Sequence, residues 1–187
     1  MTANQSRLSG KSIILVGLMG AGKTSVGRKL AEKMEMTFID ADEEIVKAAG
    51  CSIEDIFELY GESAFRDVEE RVIQRLLEEG PAILATGGGA FMNPKTRARF
   101  AKKGVSVWLR VELDVLVKRT RRRGGRPLLK NREPKAALKK LMDERYPVYA
   151  EADIIIDSKE EGADVTVGMI TEALGALSKP AGREARS

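Results

Sequence analysis

Gly17-Leu18-Met19-Gly20-Ala21-Gly22-Lys23-Thr24 is the feature that most limits what this chain can become. The segment matches G-x-x-x-x-G-K-[S/T]. It lies between an apolar run, Ser12–Val16, and a stretch with Val26, Leu30, Ala31 and Met34 at helical spacing. Strand, glycine loop and helix is the order a phosphate cradle requires. Glycines let backbone N–H groups converge on phosphate oxygens, and the helix N-terminus adds the positive end of its dipole. Lys23 can reach the β- and γ-phosphates, and the Thr24 hydroxyl can ligate Mg²⁺. Gly20, Ala21, Gly22, Lys23, Thr24 and Ser25 are therefore the candidate nucleotide-binding residues.

The alternation continues beyond the loop. Residues 37–40 (TFID), 82–86 running into Gly87-Gly88-Gly89, 105–109 (VSVWL) and 152–156 read as further strands separated by helical patterns. Residues 42–49 read as a helix stopped by Gly50. Ser52-Ile53-Glu54-Asp55 reads as a capping box that starts another, and helical spacing resumes over 62–78. This predicts an α/β fold, a five-stranded parallel sheet with helices on both faces. A chain of 187 residues fits one domain, here over 11–177, with 1–10 and 178–187 as frayed ends.

What the chain lacks narrows its chemistry. It has no histidine and one cysteine, Cys51, which excludes intramolecular disulfides, Cys/His zinc sites and imidazole bases. A general base must be a carboxylate, Lys, Tyr or Cys, and Cys51, with no histidine to activate it, reads as structural. The absence of disulfides and the polar opening MTANQSRLSGKS predict a cytoplasmic protein without a secretory signal. No apolar run approaches the roughly 20 residues of a membrane span.

The net charge of +4 is unevenly spread. Residues 118–132 (KRTRRRGGRPLLKNR) carry eight basic side chains and no acidic one, whereas 40–79 is rich in carboxylates. Ordering a residue costs about 1–2 kcal/mol of backbone entropy, and a basic run around Gly124-Gly125 has little apolar surface to offset it. We read about 118–134 as a lid that closes over phosphates and excludes water. Aromatic residues at 5% offer few stacking platforms, which argues against nucleic-acid binding.

The other candidates should meet above the C-terminal edge of the sheet. Asp40 and Asp42 in FIDAD could serve a metal shell and an acceptor hydroxyl, although Asp42 can also be read as a helix cap. Gly87, Gly88 and Gly89 would expose backbone N–H groups to a polar ligand. Arg66, with Glu69 and Glu70 three and four residues on, is either a substrate grip or part of a surface ion-pair ladder. No Asn-Lys-x-Asp guanine-reading segment occurs and the length is short for a motor ATPase. A small-molecule kinase is the leading class.

Taken in order, GLMGAGKTSVGRKLA, FIDAD, SIEDIFELYGESAFRDVEE, LATGGGA, RPLL and RYPVYAEAD resemble the shikimate kinase family over residues 10–175. The resemblance implies a P-loop fold akin to nucleoside monophosphate kinases, ATP and shikimate as substrates, and Mg²⁺ as cofactor. The implied reaction is phosphorylation of the 3-hydroxyl of shikimate, in aromatic amino-acid biosynthesis. It implies Lys23, Asp42 and Arg126 as catalytic residues, Arg119 on the adenine side, and Arg126 on the ATP phosphates from the lid. Asp42, Arg66, Arg145 and the backbone of Gly87, Gly88 and Gly89 would hold shikimate, with Glu69 orienting Arg66. Thr24 and Asp40 would serve the metal. A monomer without nucleic-acid or membrane partners is expected. A kinase for another hydroxy acid such as gluconate, or a nucleotide-dependent nucleic-acid-binding protein, is the alternative. Thr24-Ser25 inverts the Ser-Thr of many relatives, and either hydroxyl can take Mg²⁺. LATGGG replaces the usual apolar strand and aspartate after the third strand, which leaves Asp40 as the carboxylate expected beside the metal.

Overall fold

An uncharged run such as Ile13–Val16 can be buried on both faces of a sheet, and the computed structural model, which describes residues 10–121 and 134–178, places it at the sheet's centre. Five strands, β1 (Ser12–Val16), β2 (Phe38–Asp40), β3 (Ile83–Ala85), β4 (Gly104–Arg110) and β5 (Ile154–Asp157), stand in the order β2-β3-β1-β4-β5. All pairings are parallel, with Leu15 opposite Ala85 on one side and Val107 on the other. Residues 13–16 are at most 1% exposed. Because successive side chains point to opposite faces, both faces of β1 must be covered. At the edge, β5 alternates buried Ile154 and Ile156 with exposed Ile155 and Asp157.

Seven helices are described: α1 (Lys23–Met34), α2 (Ala41–Ala49), α3 (Ile53–Glu79), α4 (Pro94–Lys103), α5 (Leu113–Arg121), α6 (Pro134–Tyr149) and α7 (Ala163–Ser178), with a 3-10 turn at Ala90–Met92. In α1 the expected stripe is buried through Val26, Leu30 and Ala31, while Arg28, Lys29 and Glu32 face solvent. The capping box at the start of α3 is present: Ser52 Oγ accepts from Asp55 N at 3.0 Å, and Ser52 N donates to the Asp55 carboxylate at 3.2 Å.

Helical geometry in α3 breaks at Gly61, whose φ of 81° and ψ of 174° are open only to glycine. The element is two helices meeting at an angle, in keeping with the resumption expected at Glu62. β3 is shorter than expected, ending at the Ala85–Leu15 pair; Thr86 follows it, and its N–H and hydroxyl both donate to the Leu15 carbonyl on β1. Lys118–Arg121, the expected start of the lid, form the last turn of α5. Residues 122–133, which hold Gly124, Gly125 and Arg126, lie outside the described residues.

Candidate active site

With every strand running the same way, β1, β2 and β3 deliver Gly17, Asp40 and Gly87 to one edge of the sheet. The loop after β1 turns at Gly20 (φ 82°) and Gly22 (φ 94°), conformations that favour glycine. Gly22 caps α1 without a side-chain hydrogen bond, and the first turn holds no acidic residue. The positive helix end is thus left for an anion. Lys23 Nζ arches back over the loop and donates to the carbonyls of Gly17 at 2.7 Å and Leu18 at 3.1 Å.

Thr24 Oγ1 donates to Asp40 Oδ2 at 3.0 Å, from the first turn of α1 to the end of β2. Asp40 is also the cap of α2, its Oδ1 accepting from Asp42 N at 3.1 Å. The alternative reading of Asp42 as that cap is therefore corrected: the cap falls two residues earlier, and the Asp42 side chain borders the cleft. A hydroxyl beside a carboxylate is the all-oxygen donor set a hard divalent cation takes, so these two residues fit Mg²⁺. Among the described residues no group of three or more His, Cys, Asp or Glu side chains forms a cage. An ion here would rely on phosphate oxygens and water for its other ligands.

A cleft of about 800 Å³ opens beyond the loop, with Lys23, Thr24, Asp40 and Asp42 on one side and Arg66, Glu69 and Arg145 on another. Gly87, Gly88 and Gly89 form its floor, and space rather than conformation dictates glycine there. A Cβ on Gly87 would lie 2.8 Å from Glu69 Oε1 and 3.0 Å from Asp42 Oδ1. On Gly88 it would lie 2.9 Å from Arg145 Nη1, and on Gly89 it would fall 2.5 Å from the Arg66 Cζ. Side chains at these positions would displace the charged groups above them.

The ladder reading of Arg66 fails at one rung. Glu70 turns away to Arg99 and Asn93, whereas Glu69 is 3% exposed and accepts from Arg66 Nη1 at 2.7 Å. Glu62 accepts from Nη2 at 3.0 Å. Burial pushes the Glu69 carboxyl above its ordinary range; Arg66 and Arg145 pull it down and the Asp42 charge pushes it further up. Glu69 Oε1 is buried without a hydrogen-bond partner.

Two features of the cleft were not drawn from the sequence. Ile53, Phe57 and Phe65 build an apolar wall, with the two phenyl rings 4.7 Å apart. Ile53 and Phe57, four residues apart after the capping box, were the available signal. Tyr149 is fully buried and its hydroxyl donates to the Gly88 carbonyl; a tyrosine on a helix reads equally well as core.

A second cavity of about 260 Å³ lies on the far side of the loop, lined by Gly20, Ala21, Gly22, Ser25, Arg119, Ser158 and Thr166 among others. Arg119 Nη2 donates to the Lys159 carbonyl at 2.6 Å, and Nη1 approaches the carbonyls of Gly20 and Ala21 at 3.5 Å. Of the expected site residues only Arg126 lies outside the described residues; all the others border one of the two cavities.

The sequence profile of a family described as shikimate kinase matches residues 19–175. A shikimate kinase of Mesorhizobium japonicum is 48% identical over 174 residues, 93% of this chain and 86% of that relative. One from Paramagnetospirillum magneticum is 52% identical over 165 residues, 88% of this chain and 85% of the relative. The solved shikimate kinase from Acinetobacter baumannii in complex with shikimate superposes with a TM-score of 0.87 at 35% identity, covering 93% of this chain and 98% of that one.

Proposed function

The chain belongs to the shikimate kinase family, and from that premise we propose that it transfers the γ-phosphoryl group of ATP to the 3-hydroxyl of shikimate. The observation that carries the reading is the single cleft in which the phosphate loop faces Asp42 and two arginines, Arg66 and Arg145, across the glycine floor. Two guanidinium groups offer planar, two-point grips for a carboxylate, and an aspartate opposite them suits hydroxyls. The apolar wall of Ile53, Phe57 and Phe65 suits a carbon ring held between the two polar ends.

Phosphoryl transfer asks a protein for positioning and charge neutralisation more than for covalent chemistry. ATP phosphates bind the N–H groups of Gly20 to Thr24, and the base takes the smaller cavity beside Arg119. The two cavities share Gly20 and Gly22, so donor and acceptor meet at the loop. Lys23 leaves the carbonyls of Gly17 and Leu18 to follow the β- and γ-phosphates. Thr24, with Asp40 behind it, would hold Mg²⁺, which supplies charge neutralisation on the phosphate oxygens when bound. Arg66 and Arg145 fix the shikimate carboxylate so that the 3-hydroxyl lies against Asp42. Its oxygen bonds to the γ-phosphorus as the bond to the β,γ-bridging oxygen breaks. ADP leaves with that electron pair, and the hydroxyl proton passes to Asp42. Arg126 is assigned to the phosphates by resemblance alone.

Action as a monomer is proposed from the family resemblance alone. No described helix is long and apolar enough to cross a membrane, and a cytoplasmic location is proposed from the ATP chemistry and the lack of disulfides. The test is ADP release from Mg-ATP that depends on shikimate. Asp42→Asn should lower turnover about 10²- to 10⁴-fold while leaving ATP affinity near that of the unaltered protein. Undiminished turnover in this variant overturns the role of Asp42.

A further inference from the structure

Tyr149 stands outside the proposed chemistry yet touches it at two points. It follows Arg145 by one helical turn on α6, so both side chains leave the same face. The ring is fully buried, edge-on to Phe91 at 6.2 Å and to Trp108 at 5.8 Å between centroids. These contacts fix the hydroxyl from the core side. The hydroxyl donates to the Gly88 carbonyl, and the Arg145 guanidinium interacts with the same oxygen. A phenol can donate once and still accept, so one oxygen satisfies both partners. Gly88 has no side chain to intervene: a Cβ there would sit 2.9 Å from Arg145 Nη1 and 3.5 Å from the Tyr149 oxygen.

We propose that Tyr149 is a positioning residue for the acceptor, its hydroxyl coupling the Arg145 guanidinium to the Gly88 peptide so that floor and carboxylate grip keep one geometry. The proposal rests on the reading of the cleft as the shikimate site. Sites held by side chains locked into a core are positioned more accurately than sites held from loops. Arg145 lies on a helix whose described part starts only at Pro134, and Tyr149 ties that helix end to the loop after β3. Burial raises the phenol to about 12, against an opposing pull from Arg145. The hydroxyl therefore remains a donor across the neutral range.

The experiment compares Tyr149→Phe with the unaltered full chain in steady-state assays that vary shikimate and Mg-ATP separately. The expected result is a rise of about tenfold or more in KM for shikimate, the scale of a lost hydrogen bond to a charged group. KM for ATP should not change, and kcat should fall by less than about threefold. In an Arg145→Met background the same replacement should add less than about twofold, because the guanidinium it acts through is gone. Incorporation of 3-fluorotyrosine at position 149 keeps the ring's shape and hydroxyl but makes the phenol more acidic; as pH is raised, KM for shikimate should then climb at a lower pH than in the unaltered protein, a comparison that serves if the Phe variant does not fold. An unchanged KM for shikimate in Tyr149→Phe overturns the proposal, as does an effect equal and additive in the Arg145→Met background. An unaltered protein that releases no ADP with shikimate overturns instead the reading of the site.

Discussion

Arg66 is held by two carboxylates of unequal character. The Glu62 side chain is largely in water, where an ion pair contributes about 0–1 kcal/mol, whereas the Glu69 side chain is 4% exposed and points into the cleft floor. Glu69 therefore decides where the guanidinium sits. Because burial raises its folded pKa above the unfolded value, the native protein takes up this proton at higher pH than the unfolded chain. From this group alone, stability is fully present below the unfolded value and is lost as pH rises through the raised native one. The acceptor site moves the other way, since a protonated Glu69 no longer holds Arg66 by charge. KM for shikimate should rise about threefold to tenfold as pH falls toward the ordinary glutamate range. Glu69→Gln should start with the raised KM and show no such limb. Identical profiles for the two proteins, measured as kcat/KM against pH, would sink this assignment. The sequence offered Arg66 and Glu69 as neighbours three residues apart but not the burial of Glu69, which depends on Gly87 lying beneath it. Asp40 and Asp42 were legible as a pair, while which of them capped α2 depended on the exact end of β2.

Between residue and fold, α3 does two jobs. Ile53 and Phe57 precede the break at Gly61 and form the apolar wall with Phe65, which follows it, while Arg66 and Glu69, also beyond the break, supply the charges. The angle between the two halves sets the width of the cleft. A Cβ on Gly61 would meet nothing within 4 Å, so replacement acts only through backbone conformation. Gly61→Ala should cost about 1–3 kcal/mol, a fall in Tm of about 2–4 °C per kcal/mol in a chain of this size, and should raise KM for shikimate by changing the angle. Thermal melting together with shikimate titration checks both; an unchanged Tm contradicts the assigned strain. The capping box and the resumption of helical spacing at Glu62 made this element readable in sequence, because each acts through its own residues. The limits of β3 were not, because they depend on its pairing with β1, whose Leu15 carbonyl takes the Thr86 hydroxyl from 71 residues away.

At the scale of the whole molecule, alternating strand and helix patterns announced a parallel sheet but not its order. Putting β1 between β3 and β4 is a matter of packing; the continuous apolar character of residues 13–16 says only that this strand is central. That order gathers the phosphate loop, Asp40 and the glycine floor from residues 17–89 into one cleft. The base-side cavity was legible only through the loop and Arg119, since Ser158 and Thr166 carry no signal until β5 and α7 are folded against the loop. The central claim is that this assembly phosphorylates shikimate on one hydroxyl. It is tested most directly by incubating the protein with Mg-ATP and an equimolar mixture of shikimate, gluconate and a nucleoside monophosphate, then identifying the products by phosphorus and proton NMR. The account predicts one new phosphomonoester, on the 3-hydroxyl of shikimate. Phosphate on another hydroxyl of shikimate would contradict the placement of Asp42 opposite Arg66 and Arg145, and phosphate on gluconate or the nucleotide would contradict the acceptor itself.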